Sequence, residues 1–514
     1  METDRVVALV VGLNCLLGLL RGLRARGGTP NGFTVVFAAN LALLGLVQST
    51  DPELTTSVVA PVWIATVMLP IVLARWWRTE LRRGRFGRAA FLARASALLH
   101  PADGWSTFPR FVTAVRAAQE GDFDRARQLA AALSGRSSLV RGASLQLVAA
   151  LDDDDAAILE LVRREGAEAL MRDAGLVVAF LRAAARRADA AGVVELARGV
   201  AFPFEQQAAA QDAEVARTLV AAHLGLVDTV VRTVESSLGS QLGDVSATYV
   251  VVALQRAGRR EEAEEVARRA AAATGSALVR RLLERAIEQP LPPFDLDSLD
   301  PAALEVVRDV ERRAAADESY GLGSGRRDAK PVFTRALAAV LGVVFAVELA
   351  RGGATDTRTL YEMGALVVPL SATPGEWWRV VTAAFLHVGW LHFGLNLLGL
   401  LWLGGQLERV WRRRLVVGVY AAAVLVSGAA VVLAAGDEVR IFAGASGGIM
   451  GLLGAIGGRL LVGSAKEATP MLRRQLGTFL AIVGLQMVFD SLVPNVSSTA
   501  HLVVSRRASW SVSS

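Results

Sequence analysis

Lysine is almost missing from this 514-residue chain. Lys330 and Lys466 are the only two among 55 basic residues, so the formal charge of +6 rests on arginine. The arginines gather beside apolar segments, the distribution that sets membrane topology, and nucleic acid is not an expected partner. Cysteine is limited to Cys15, which excludes an intrachain disulfide. The preceding "GLN" lacks the small residues of a lipoprotein cleavage site, and Cys15 is given no role. Charged residues make up 20% of the chain against 53% hydrophobic, and the mean hydropathy is +0.40. That balance lies outside the soluble globular range and indicates a membrane protein carrying some soluble mass. No metal-ligand or cofactor motif stands out, so neither is expected.

Apolar runs come in two groups. The first comprises roughly residues 6–20, 33–47 and 57–74, each near or slightly below the ~20 residues that span a bilayer. The opening run begins with Glu2 and Asp4 where a secretory signal carries basic residues, and reads as an anchor that stays. Arginines after the first and third runs place the N-terminus outside and the chain after Ala74 in the cytoplasm. The second group covers about 332–349, 384–403, 415–435, 441–462 and 476–493. Their basic flanks put Ser446 and the turn before His501 at the outer face. Three divisions follow: a membrane region over 1–77, an α-helical region over 78–328, and a second membrane region over 329–514. Arginine-rich, lysine-poor usage hints at a GC-rich bacterial genome, hence an inner membrane.

The middle region carries Ala, Arg, Glu and Leu at helical spacing. Gly121, Gly192, Gly225 and Gly258 each precede an amphipathic helix start, separated by one double step and then two steps of about 33 residues. This pattern resembles degenerate tetratricopeptide-like repeats, with an irregular helical bundle as the plainer alternative. Such a region is expected to be a cytoplasmic scaffold, able to bind a protein partner, without catalytic residues. His100 and His223 fall within it and read as solvated surface or helix-face residues.

The other three histidines lie in or beside apolar segments, where polar side chains are functional candidates by default. In "FLHVGWLHFGLN", His392 and Asn396 stand four apart, so a helix presents both from one face. They can serve either as two donors aimed at one point or as hydrogen-bonding glue between helices. On the same helix His387 would turn away by about 140°, as a contact at the helix start. Ser446 opens "SGGIMGLLGAIGG", in which Gly447, Gly451, Gly454 and Gly458 form a ridge for close helix packing, so alone it reads as packing. Gly444-Ala445-Ser446-Gly447-Gly448 also fits G-x-S-x-G, but the flanking apolar spans exclude the strand and sheet that such a soluble hydrolase needs.

Taken together, H-x4-H-x3-N at His387, His392 and Asn396, G-x-S-G at Gly444 to Gly447, and Ala500-His501 resemble the rhomboid family of intramembrane serine proteases over about 332–501. Trp378-Arg379 and Glu408 agree with further family positions. The fold expected from the resemblance is an all-α polytopic membrane bundle, joined here to the helical repeat region. Its implied mechanism is a Ser-His dyad, with Ser446 as nucleophile and His501 as general base. His392, Asn396 and the Ser446 backbone N–H would form the oxyanion hole, and the substrates would be transmembrane segments of proteins in the lipid bilayer. The chain departs from the family after Val503: Val504 stands where a glycine is usual, and "SRRASWSVSS" replaces an apolar span. This sixth helix reads as truncated, by a disrupted reading frame or in a shortened, inactive member. A non-catalytic membrane adaptor binding through the helical repeats is the alternative.

Overall fold

A computed structural model describes residues 2–25, 32–82, 84–100, 104–135, 140–321, 330–368, 375–434, 439–467 and 469–492. The expected base His501 and the aberrant stretch after residue 503 lie outside the described residues. The chain divides into two compact units, one of Met1–Val234 with Leu238–Glu311, the other of Glu235–Ser237 with Arg312–Ser514. Among the described residues both are helical, apart from one two-stranded sheet in the second. Among the described residues five helical stretches are long and apolar enough to cross a membrane: Gly32–Thr50, Pro52–Leu81, Val332–Arg351, Arg413–Leu433 and Ser446–Lys466. The molecule thus has the composition of a multi-pass integral membrane protein.

The first unit opens with helix Glu2–Ala25, whose apolar part Val7–Leu20 is shorter than those five. From Pro52 to Arg82 the chain is helical throughout but widens into π turns at Thr55–Val59 and Ile64–Met68. Each wide stretch ends two residues before a proline, Pro61 or Pro70, and a third, Ala197–Ala201, ends two before Pro203. A proline ring has no N–H and crowds the carbonyl four residues back; a widened turn relieves both without breaking the helix.

Beyond residue 104 helices pair in repeat-like hairpins. Gly121 (φ +93°), Gly225 (φ +76°) and Gly258 (φ +74°) turn the chain between paired helices in a backbone region that favours glycine. A side chain at Gly225 would stand 3.0 Å from the Ala257 amide nitrogen, so successive hairpin turns stack directly. Gly192 departs from the expected pattern: it lies inside helix Ala190–Leu196 and donates its N–H to the capping Asp189 carboxylate at 2.8 Å. An extended Ala188 and that aspartate make the turn without glycine.

The two histidines here are not solvated. His100 is 2% exposed, with its ring 4.1 Å from Phe33 and 4.7 Å from Trp105. His223 is 4% exposed and bonds through Nδ1 to the Leu219 carbonyl at 2.9 Å. Burial and nearby guanidiniums push its pKa down to about 3, so it is neutral.

In the second unit the Ser446–Lys466 helix is central. Its most apolar stretch is 72% buried, against 28% for Val332–Arg351 and for Arg413–Leu433. Glycine makes this possible on more than one face. A Cβ at Gly447 would overlap Ser427 Oγ, one at Gly448 would lie 2.6 Å from Tyr420 Cζ, and one at Gly463 would lie 2.6 Å from Tyr320 Cγ. Leu400, Leu452, Leu460 and Leu472 complete a core around it. The helix Gly389–Val410 is not among the five apolar ones because it carries His392, Asn396 and Gln406.

Two expected boundaries move. The run taken to start at Ala384 becomes helical at Gly389, after a 3-10 turn Ala383–Phe385. The run taken to start at Ile441 first forms strand Arg440–Phe442, antiparallel to Leu366–Val368 in the register Leu366 with Phe442 and Val368 with Arg440. Its helix begins at Ser446.

Candidate functional site

The strand pair sets the position of the short link Ala443-Gly444-Ala445. Gly444 has φ +144° and donates its N–H to the Ala383 carbonyl at 2.8 Å. A Cβ there would lie 2.7 Å from His392 Cε1, 2.9 Å from His392 Nε2 and 3.6 Å from Asn396 Nδ2. Both side chains from one face of helix Gly389–Val410 therefore converge on the backbone two residues before Ser446. Glycine is required twice over, by its backbone angle and by the imidazole against it.

Ser446 is the first residue of its helix and is half-buried, following Ala445, which makes no side-chain cap. The dipole of a helix start favours negative charge in this region. Asn396 is 7% exposed, and its Nδ2 is buried without a hydrogen-bond partner among the described residues. Leaving such a donor unsatisfied costs about 1–3 kcal/mol, so it calls for an explanation.

His387 is not on the helix that the spacing implied, and the 140° rotation does not apply. The helix begins only at Gly389, whose φ of +80° breaks it from the preceding chain. Its ring is fully buried, 5.5 Å from His392 and 5.3 Å from Phe393, and both ring nitrogens lack partners among the described residues. Its backbone N–H donates to Glu348 Oε1 at 3.0 Å. Glu348, itself 0% exposed in helix Val332–Arg351, went unnoticed in the sequence, where one acid near a helix end looks ordinary.

Arg379 is 5% exposed and pins the loop that precedes the site. It donates to the Tyr361 carbonyl at 2.8 Å and the Ala365 carbonyl at 3.2 Å, pairs with Glu376, and lies between the Tyr361 and Trp378 rings at 4.4 and 4.6 Å. Trp378 also packs over Gly364, where a Cβ would lie 2.6 Å from the indole. Glu408 works at the opposite end of its helix. Its carboxylate accepts the Phe333 and Thr334 backbone N–H groups at 3.0 and 2.7 Å and the Thr334 hydroxyl at 2.6 Å, capping helix Val332–Arg351. Gly447 meets Ser427 of the neighbouring helix, and no group of three or more metal-ligating side chains occurs among the described residues.

Comparison with known proteins bears on this part of the chain. Residues 374–504 match the Rhomboid domain model. The chain is 33% identical over 178 residues to Rhomboid protease GluP of Bacillus subtilis, covering 34% of this chain and 33% of that protein. It is 31% identical over 149 residues to RHOMBOID-like protein 1 of Arabidopsis thaliana, 29% of this chain and 36% of that one. To RHOMBOID-like protein 6, mitochondrial, of the same plant it is 30% identical over 149 residues, 29% of this chain and 46% of the relative. The chain thus spans a third to a half of the length of these relatives, and no solved structure gives a significant match. The matched stretch contains Ser446, His392 and Asn396, and with it the chain carries a membrane domain of the rhomboid superfamily.

Proposed function

We propose that this domain is an intramembrane serine endopeptidase that cuts transmembrane segments of other membrane proteins. Ser446 Oγ attacks the peptide carbonyl carbon while its proton passes to the His501 imidazole, which then protonates the leaving amine. Water repeats the sequence on the acyl-enzyme and releases the second product. His392, Asn396 and the Ser446 N–H stabilise the oxyanion, which needs donors fixed before charge develops. The observation that carries this reading is the convergence of His392 and Asn396 on Gly444, with the Asn396 Nδ2 donor buried and without a partner among the described residues. Among the described residues that donor reaches no neighbouring helix, as helix glue would. The reading also takes the tetratricopeptide-like region as cytoplasmic, in a bacterial inner membrane, with the serine at the outer face.

The test is labelling of the full chain in membranes by a serine-directed fluorophosphonate. Labelling that disappears in Ser446→Ala and in His501→Ala supports the dyad. Absence of labelling in folded wild-type protein, or labelling retained by Ser446→Ala, would overturn it.

A further inference from the structure

The first unit holds a cavity of about 140 Å³ that no catalytic reading uses. It is framed by helices Ala174–Arg187, Ala210–His223, Ser246–Arg256 and Ala277–Glu288. Three guanidiniums and two carboxylates line it, leaving one positive charge in excess. Asp153 lies 3.1 Å from both Arg186 and Arg285, and Asp155 lies 3.3 Å from Arg186. Those four charged groups are matched to one another; Arg182 is not. It has no carboxylate partner among the described residues, only neutral neighbours: the Tyr249 hydroxyl at 3.3 Å and the Gln146 amide, whose oxygen, turned toward it, accepts at 2.9 Å.

A second observation comes from His223 in the same wall. Its Nδ1 bond to the Leu219 carbonyl requires a proton on Nδ1, which leaves Nε2 as an acceptor. That Nε2 is buried with no partner among the described residues. The ring cannot resolve this by taking a second proton, because burial and the guanidiniums of Arg256, Arg182 and Arg186 oppose it. Among the described residues the cavity wall therefore holds a guanidinium without a carboxylate and a ring nitrogen without a donor, with Leu219, Val252 and Leu282 as apolar wall.

We propose that this cavity binds a small organic monocarboxylate that carries an N–H or O–H donor beside its carboxylate. The carboxylate meets Arg182, the donor meets His223 Nε2, and the apolar remainder lies against Leu219, Val252 and Leu282. One excess charge suits a monoanion; a phosphate dianion would face Asp153 and Asp155 without enough positive charge to offset them. The same chemistry occurs in a free N-acyl amino acid and at the end of a peptide chain.

The experiment is calorimetric titration of the full chain in detergent micelles, which needs no peptidase activity and so stands apart from the Ser446 test. The probes are N-acetyl-leucine, its amide, the ester analogue with oxygen in place of N–H, an N-acetylated tripeptide ending in leucine, and inorganic phosphate. N-acetyl-leucine is expected to bind, and its amide and ester analogue to bind about tenfold or more weakly, since each loses one buried charged or polar contact. Arg182→Gln lowers affinity by a similar factor, and Arg182→Lys restores part of it. Binding of the tripeptide as tightly as the free acid assigns the site to chain ends; its exclusion assigns it to free acids. No binding of either carboxylate, equal binding of the amide, unchanged affinity in Arg182→Gln, or tighter binding of phosphate overturns the proposal.

Discussion

Replacing Asn396 by leucine separates the two uses of a polar residue in a membrane helix, because they predict opposite signs. Asn396 is 7% exposed and its Nδ2 has no partner among the described residues. Keeping that amide buried costs about 1–3 kcal/mol, which a leucine of similar size recovers. If the donor is held for an oxyanion, Asn396→Leu raises stability by about that much and slows acylation ~10²- to 10³-fold. If it glues helices, stability falls, by about 0.6 kcal/mol on average for such bonds in membranes and up to about 1.7. Denaturant unfolding of the detergent-solubilised chain, followed through its ten tryptophans, measures the first quantity. The second-order rate of fluorophosphonate labelling measures the second. A leucine variant that is less stable by 1 kcal/mol or more and labels at the wild-type rate refutes the oxyanion argument.

Three further perturbations test the scaffold. Gly447→Ala places a methyl on Ser427, whose Cβ as well as Oγ is in the way at 2.7 Å, so rotating the hydroxyl does not relieve it. A loss of about 1–3 kcal/mol, less up to ~1 kcal/mol returned by the better helix former, is expected in unfolding experiments, with recovery in the double variant Gly447→Ala, Ser427→Gly. Glu408→Gln weakens three accepting contacts at the start of helix Val332–Arg351 and lowers unfolding stability by about 1.5–3 kcal/mol; a wild-type unfolding curve would count against the cap. His223, with a pKa near 3 when folded and 6.5 when exposed, binds its proton only on unfolding between those values. Stability contributed by the neutral ring is full above pH 6.5 and falls by about 1.4 kcal/mol per unit as pH drops toward 3; His223→Gln flattens that slope in unfolding midpoints measured from pH 7 to 5.

What the sequence revealed and what it concealed divide along physical lines. Positions fixed by local geometry were readable: His392 and Asn396 share a face because helical spacing makes them do so, and Gly121, Gly225 and Gly258 turn hairpins because glycine reaches positive φ. Features set by tertiary partners were not. His100 and His223 look like surface residues until aromatic rings or a carbonyl close over them. Gly192 fits the repeat spacing, yet Asp189 takes over its turn. The apolar run is continuous through His387, whereas Gly389 interrupts the backbone without interrupting hydropathy. Strand Arg440–Phe442 was hidden for the same reason. Beyond the ridge, Gly448, Gly457 and Gly463 make room for Tyr420, Phe479 and Tyr320, so close packing around this helix extends to glycines that the ridge pattern does not include.

That enclosure of the Ser446–Lys466 helix has a mechanical consequence. A rod gripped through near-contact distances resists sliding or tilting wherever the movement would compress a neighbour. The helices Val332–Arg351 and Arg413–Leu433 are less enclosed by the described residues, so the same displacement compresses less around them. Among the described residues the Ser446–Lys466 helix is therefore the stiff axle of this unit, with the serine at its tip.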